Sequence, residues 1–200
     1  MLKKNMTPRR TQQVGVGPST EHAYIYRVVL LGSTAVGKSS IAFCYVKNDF
    51  KEFMSTVGCS FFTQLVYFQT ATIKLEIWDT AGQEKYHSVC HLYYRGVKAA
   101  LLVYDIARKI RPEMACNFCE SKAMVEGMEK EFLPNEHVIV LVDNKTDLAS
   151  QREVIFEVAE EFAKSKSLIY METLAKSNHQ VTEVFMATGA RGEVLSLWPL

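Results

Sequence analysis

Gly32-Ser33-Thr34-Ala35-Val36-Gly37-Lys38-Ser39 is the stretch on which the fold of this chain turns. It fits the pattern G-x-x-x-x-G-K-[ST] of a loop that cradles phosphates. An apolar run at 26–31 precedes it and reads as a buried strand, and a helix is expected over Lys38–Lys47. Gly32 and Gly37 let the backbone curl until its N–H groups face phosphate oxygens, with Ser33, Thr34, Ala35, Val36 and Ser40 completing the cradle. The helix N-terminus adds further donors and its dipole. Lys38 is placed to reach the β- and γ-phosphates, and the Ser39 hydroxyl to ligate Mg²⁺. A mere Gly-rich turn is the bland alternative, and the strand before and helix after it speak against that reading.

Working outward, strands are expected at 61–69 and 73–78, with a hairpin turn at 69–72. Residues 99–104 and 138–142 are continuous apolar runs, as in strands covered on both faces. Helical stretches at about 112–132 and 153–164 separate them from a last short strand at 168–171. Val181, Val184 and Phe185 open a final helix that Gly189 and Gly192 soon interrupt. Strands alternating with helices predict an α/β fold, a mostly parallel six-stranded sheet with helices on both faces.

Two further segments narrow the nucleotide. Asp79-Thr80-Ala81-Gly82-Gln83 follows the strand at 73–78. A carboxylate at a strand end beside a phosphate loop is positioned to hold Mg²⁺ through water; the bland alternative is a turn former or helix cap. Gly82 can offer its N–H to a γ-phosphate because no side chain blocks the approach. Gln83 can orient an attacking water. Asn144-Lys145-Thr146-Asp147 follows the strand at 138–142. The Asp147 carboxylate can accept from both N1–H and the 2-amino group of guanine. Adenine lacks that pair of donors and would leave the carboxylate unpaired, at a cost of about 1–3 kcal/mol.

Composition fits a soluble globular protein: 200 residues, 48% apolar and 22% charged. A net charge of +1 gives no reason to expect a nucleic-acid partner, and no apolar run approaches a membrane span. Residues 1–22 are polar and basic and read as a disordered tail, 23–188 as the single domain, and 189–200 as an atypical C-terminal segment. Five cysteines without a signal peptide suggest reduced thiols in a cytoplasmic protein. Cys116 and Cys119 form a C-x-x-C that no second pair completes into a zinc site.

From about residue 26 to 185 the chain resembles the Ras superfamily of P-loop GTPases. The motifs above and Glu172-Thr173-Leu174-Ala175-Lys176 occur in the superfamily's order. Ile77-Trp78-Asp79-Thr80-Ala81-Gly82-Gln83-Glu84 and Tyr93-Tyr94-Arg95-Gly96 resemble the Rab family. Tyr45-Val46-Lys47-Asn48-Asp49-Phe50 carries the likeness toward one branch of that family. The resemblance implies a Ras-like G domain, GTP and GDP as substrate and product, Mg²⁺ as cofactor, and slow hydrolysis with Gln83 and Lys38 as catalytic residues. It also implies a monomer that works with an exchange factor, a GTPase-activating protein and effectors in vesicle traffic on endosomal membranes.

The resemblance assigns further roles by position. Thr56 would ligate Mg²⁺ beside Ser39 and Asp79, Phe50 would pack against guanine, and the stem of Lys145 would cover the base. The Ala175 N–H would meet the guanine oxygen, flanked by Leu174 and Lys176. Phe61, Trp78 and Tyr93 would report nucleotide state to effectors; ordinary core packing is the alternative for these three.

The chain departs from the family in four places. Asp143 stands where Gly is usual, which predicts a second carboxylate near the base and weaker nucleotide binding. Leu174 replaces Ser, and the stretch 106–132 is longer than the family norm and lacks its usual Trp. No cysteine follows Cys119, so no prenyl anchor is expected on this chain. These departures keep open an interaction module of the same fold without productive turnover. A P-loop kinase or ATPase is disfavoured by Asp147 and the segment 79–84.

Overall fold

The structure, a computed structural model, describes residues 24–53, 56–67, 72–82, 96–107, 124–125 and 137–189. Outside them lie the expected N-terminal tail, residues 69–71 of the expected hairpin turn, Gln83, Tyr93, Cys90, Cys116, Cys119, most of the helix expected at 112–132 and residues 190–200, while Thr72, expected in the turn, is the first residue of a strand.

The apolar runs become strands β1 (Tyr24–Leu31), β2 (Cys59–Tyr67), β3 (Thr72–Thr80), β4 (Ala99–Asp105), β5 (Val138–Asn144) and β6 (Ile169–Glu172). Helices α1 (Lys38–Lys47), α2 (Phe156–Ser165) and α3 (Val181–Thr188) are described, with short 3₁₀ turns at Thr146–Gln151 and Ala175–Ser177. The sheet order is β2-β3-β1-β4-β5-β6. Strand β2 pairs antiparallel with β3, and all other neighbours are parallel. The expected six-stranded α/β sheet is therefore the observed one.

Its central strands must be apolar on both sides, and they are. Every residue of β4 is buried. Val138, Val140 and Val142 of β5 join Val28 and Leu30 beneath Ile41 of α1 and Phe185 of α3. Leu141 faces the other way and joins Val29, Leu31 and Leu102 against Ala159 and Ala163 of α2. Strand β1 lies between β3 and β4, so the order reverses there, and a crevice opens at the C-terminal ends of the strands.

The boundaries depart from the sequence expectation where tertiary pairing decides them. Strand β1 starts at Tyr24 because Tyr24 and Ile25 pair with Ile73 and Lys74 of β3, although both are exposed. The strand expected at 61–69 starts instead at Cys59, which pairs with Thr80. Helix α2 starts at Phe156 rather than 153. Glu153 donates its N–H to the Ile106 carbonyl at 2.7 Å, and Ile155 is extended at φ −69°, ψ 143°. That contact commits the donor outside the helix.

Helix α3 is short but firmly seated. The Phe185 ring is fully buried and stacks on Tyr45 of α1 at 4.1 Å between centroids. The Tyr26 hydroxyl donates to the Thr188 carbonyl at the helix end. Phe185→Ala is expected to cost about 3–5 kcal/mol. Phe61→Ala, at a half-exposed ring that meets Trp78 edge-on, should cost about 1 kcal/mol. Urea denaturation of the two variants checks the contrast.

Candidate functional site

The loop 32–37 joins β1 to α1 at the crevice. Its last residue, Gly37, caps α1 at φ 100°, and a Cβ there would collide with the Asn144 side-chain amide. No side chain caps α1 and its first turn holds no acidic residue. The orphan N–H groups and the positive end of the helix dipole are thus left for an anion. The buried Lys38 ammonium donates to the carbonyls of Gly32 and Ser33, 2.8 Å each, and is held inside the loop.

Three oxygen donors from separate segments converge at the start of α1. The Ser39 hydroxyl donates to Asp79 Oδ2 at 2.5 Å and lies 2.7 Å from Thr56 Oγ1. Asp79 ends β3 with no exposed surface, and its Oδ1 has no hydrogen-bond partner among the described residues. Burial pushes its pKa up, against the Ser39 and Thr56 hydrogen bonds and the Lys38 charge. Two hydroxyls and one carboxylate, whose second oxygen is buried and orphaned, make a hard-donor set that fits Mg²⁺.

The base side is tied to the phosphate side by Asn144. Its Nδ2 donates to the Val36 carbonyl at 2.8 Å, while Oδ1 accepts from the Ala175 N–H and Thr173 Oγ1, both at 3.4 Å. Lys145 is left-handed at φ 67°, and its ammonium bonds the Ala35 carbonyl at 2.8 Å and Asp105 Oδ2 at 2.7 Å. Asp147 lines the cleft and makes no hydrogen bond to another described residue.

These loops enclose one cleft with a cavity volume of about 310 Å³. It is lined by Thr34, Ala35, Gly37, Lys38, Ser39, Ser40, Phe50, Thr56, Gly82, Asn144, Lys145, Asp147, Leu174, Ala175 and Lys176. Ser33 and Val36 are buried outside the lining, and the Val36 side chain belongs to the core, so only its backbone can face a ligand. Phe61 and Trp78 pair edge-to-face at 5.1 Å on the β2–β3 surface, away from the cleft. The sequence reading missed Glu52, Phe53 and Leu148 in the lining. Each adjoins or lies between residues already singled out, and that continuity was the available signal. It also missed Asp105, whose partnership with Lys145 only the packing of β4 beside β5 creates.

Asp143 requires a correction. The expected second carboxylate near the base is absent from the lining. Asp143 is fully buried on the α2 side of β5 and pairs with Arg152 at 2.9 Å. Strand alternation is the reason: Asn144 faces the cleft, so its neighbour faces away.

The family model described as the Ras family matches residues 27–192. The chain is 54% identical over 176 residues to the Ras-related protein Rab-17 of Homo sapiens, covering 88% of this chain and 79% of that one. It is 56% identical over 162 residues to the Ras-related protein Rab-17 of Mus musculus, covering 81% and 73%.

Gly82 generates a test of how tightly the cleft is built. A Cβ at this position would strike the backbone of Ser33 and Thr34. Gly82→Ala must therefore displace either the phosphate loop or the end of β3. Overpacking of this kind costs about 1–3 kcal/mol, so nucleotide affinity should fall about tenfold. Equilibrium binding of a fluorescent guanine nucleotide measures it, and an unchanged affinity would show that the loop yields freely.

Proposed function

The chain belongs to the Ras family, as a GTP hydrolase of the Rab type, and we propose that it is a Mg²⁺-dependent guanine-nucleotide switch of vesicle traffic. The convergence of Ser39, Thr56 and Asp79 beside the uncapped end of α1 carries this reading.

In this reading the phosphates lie on the loop 32–37 and the N-terminus of α1. Lys38 exchanges its carbonyl partners for β- and γ-phosphate oxygens, and the Gly82 N–H meets the γ-phosphate. Ser39, Thr56 and Asp79 would hold Mg²⁺. When bound, the cation neutralises charge that develops on the phosphates. Asp147 accepts from guanine N1–H and the 2-amino group, Ala175 donates to the guanine oxygen, and Phe50 and the Lys145 stem flank the base. Gln83 orients the attacking water. Catalysis is then positioning and electrostatics. Hydrolysis is slow without an activating protein that supplies an arginine.

An exchange factor and effectors complete the cycle, with Phe61, Trp78 and Tyr93 as the effector surface and endosomal membranes as the place of action. Among the described residues no helix is long and apolar enough to cross a membrane. The reading without productive turnover leaned on Asp143 beside the base and on the early end of the last helix; of these two grounds, Asp143 lies outside the cleft lining.

Nucleotide extracted from the purified protein should be GDP or GTP; bound adenine nucleotide would overturn the assignment. Lys38→Ala and Ser39→Asn should each weaken nucleotide binding at least about tenfold, since a charged hydrogen bond is worth about 1.5–3 kcal/mol. Gln83→Leu should leave GTP affinity intact and slow single-turnover hydrolysis by about tenfold to a hundredfold, because the side chain positions water without holding nucleotide. Unchanged hydrolysis would remove Gln83 from the mechanism.

A further inference from the structure

Behind the cleft, on the α2 side of the sheet, lies a partly buried polar cluster that the hydrolytic reading does not use. Arg152 follows the 3₁₀ turn that carries Asp147. One nitrogen, Nη1, donates to Asp143 Oδ2 at 2.9 Å, and the other, Nη2, to Glu172 Oε1 at 2.8 Å. The Tyr170 hydroxyl donates to the same two carboxylates, at 2.9 Å and 3.3 Å. The Tyr170 ring is held edge-on by Phe156 of α2 at 5.2 Å. Tyr104 of β4 is fully buried, with its hydroxyl facing Asp143 and Tyr170.

The placement of these groups in the chain is the point. Asp143 immediately precedes Asn144 and the base loop. Glu172 immediately precedes Thr173 and the loop that presents Ala175. Arg152 closes the turn between Asp147 and α2. One guanidinium thus grips both strand ends and the turn that deliver the base-reading groups. The planar fork of arginine spans two carboxylates in a way that a single ammonium cannot. The grip is reinforced from the backbone: the Thr173 N–H donates to the Asp143 carbonyl at 2.7 Å, and Thr146 Oγ1 to the Thr173 carbonyl at 3.3 Å.

We propose that the Asp143–Arg152–Glu172 cluster is a positioning device that sets the register of Asp147 and the Ala175 N–H against the guanine base. It rests on the reading that these two groups contact guanine. Neither Asp143 nor Arg152 touches nucleotide; both act through the loops they join.

Burial pushes the Asp143 carboxyl up to about 6, against the pull of the Tyr170 hydrogen bond and the Arg152 charge. A folded-state pKa above the unfolded one means that the ionised carboxylate loses stability as pH rises from about 4 through 6. Replacing both members of a buried ion pair can be neutral, whereas removing one leaves the other unpaired and is strongly destabilising. Asp143→Asn keeps an acceptor oxygen and Glu172 still pairs Arg152, so its loss of stability should be smaller than that.

The test compares the full chain with Asp143→Asn and Arg152→Lys, loaded with GDP or with inosine diphosphate, which lacks the 2-amino group. Urea denaturation of the GDP-bound forms is run in parallel. Misaligned readers should speed GDP release about fivefold, the factor that one ordinary hydrogen bond is worth. They should shrink the preference for GDP over inosine diphosphate by a similar factor in both variants, by more than any loss of urea stability accounts for. A preference equal to the parent's in both variants, or one that falls only in step with stability, overturns the positioning role. A parent that does not prefer GDP at all overturns the reading of the base site as well.

Discussion

The side-chain amide of Asn144 is the interaction on which the rest of the site depends. Engaged through both its nitrogen and its oxygen, it holds the phosphate loop through Val36 and the base loop through Ala175 and Thr173. Phosphates and base sit on loops far apart in the chain, and their spacing must suit one rigid ligand. An amide can do this because it donates and accepts at once. Buried, its bonds are costly to leave unmade, so the two loops stay in register.

That amide is rigid because the strand beneath it is. Strand β5 lies between β4 and β6 with apolar side chains on both faces, and β4 is buried throughout. A sheet packed this densely transmits small displacements rather than absorbing them. The functional groups leave it at the C-terminal ends of β1, β3, β5 and β6. Polar groups can cluster there because loops, unlike the strands, need not bury themselves.

The Asp143 cluster shows the opposite use of burial. A carboxylate with no exposed surface beside Arg152 is costly to desolvate, and its raised pKa reflects that cost. Its partners belong to β5, β6 and the turn before α2. The geometry of the pair joins elements whose relative positions matter for the ligand. Helix α2 begins late for a related reason, since the chain before it is drawn into the Glu153–Ile106 contact and the Arg152 pairs.

The sequence by itself determined the α/β class, the strand cores and helix α1 to the residue, because continuous apolar runs and a Gly-rich turn are local patterns. It also singled out most of the cleft-lining residues from Thr34 to Lys176, the motif residues by their type at strand ends and Phe50, Thr56, Leu174, Ala175 and Lys176 through the family resemblance, but not Glu52, Phe53 or Leu148. Tertiary structure decided the rest. The ends of β1 and β2 follow partners on β3 that no local pattern names. Asp105 becomes the partner of Lys145 only because β4 lies beside β5. Asp143 looked like a neighbour of the base because it precedes Asn144 by one residue. In a strand that single step turns a side chain through the sheet to its far side, where only the folded chain supplies Arg152, Tyr170 and Glu172.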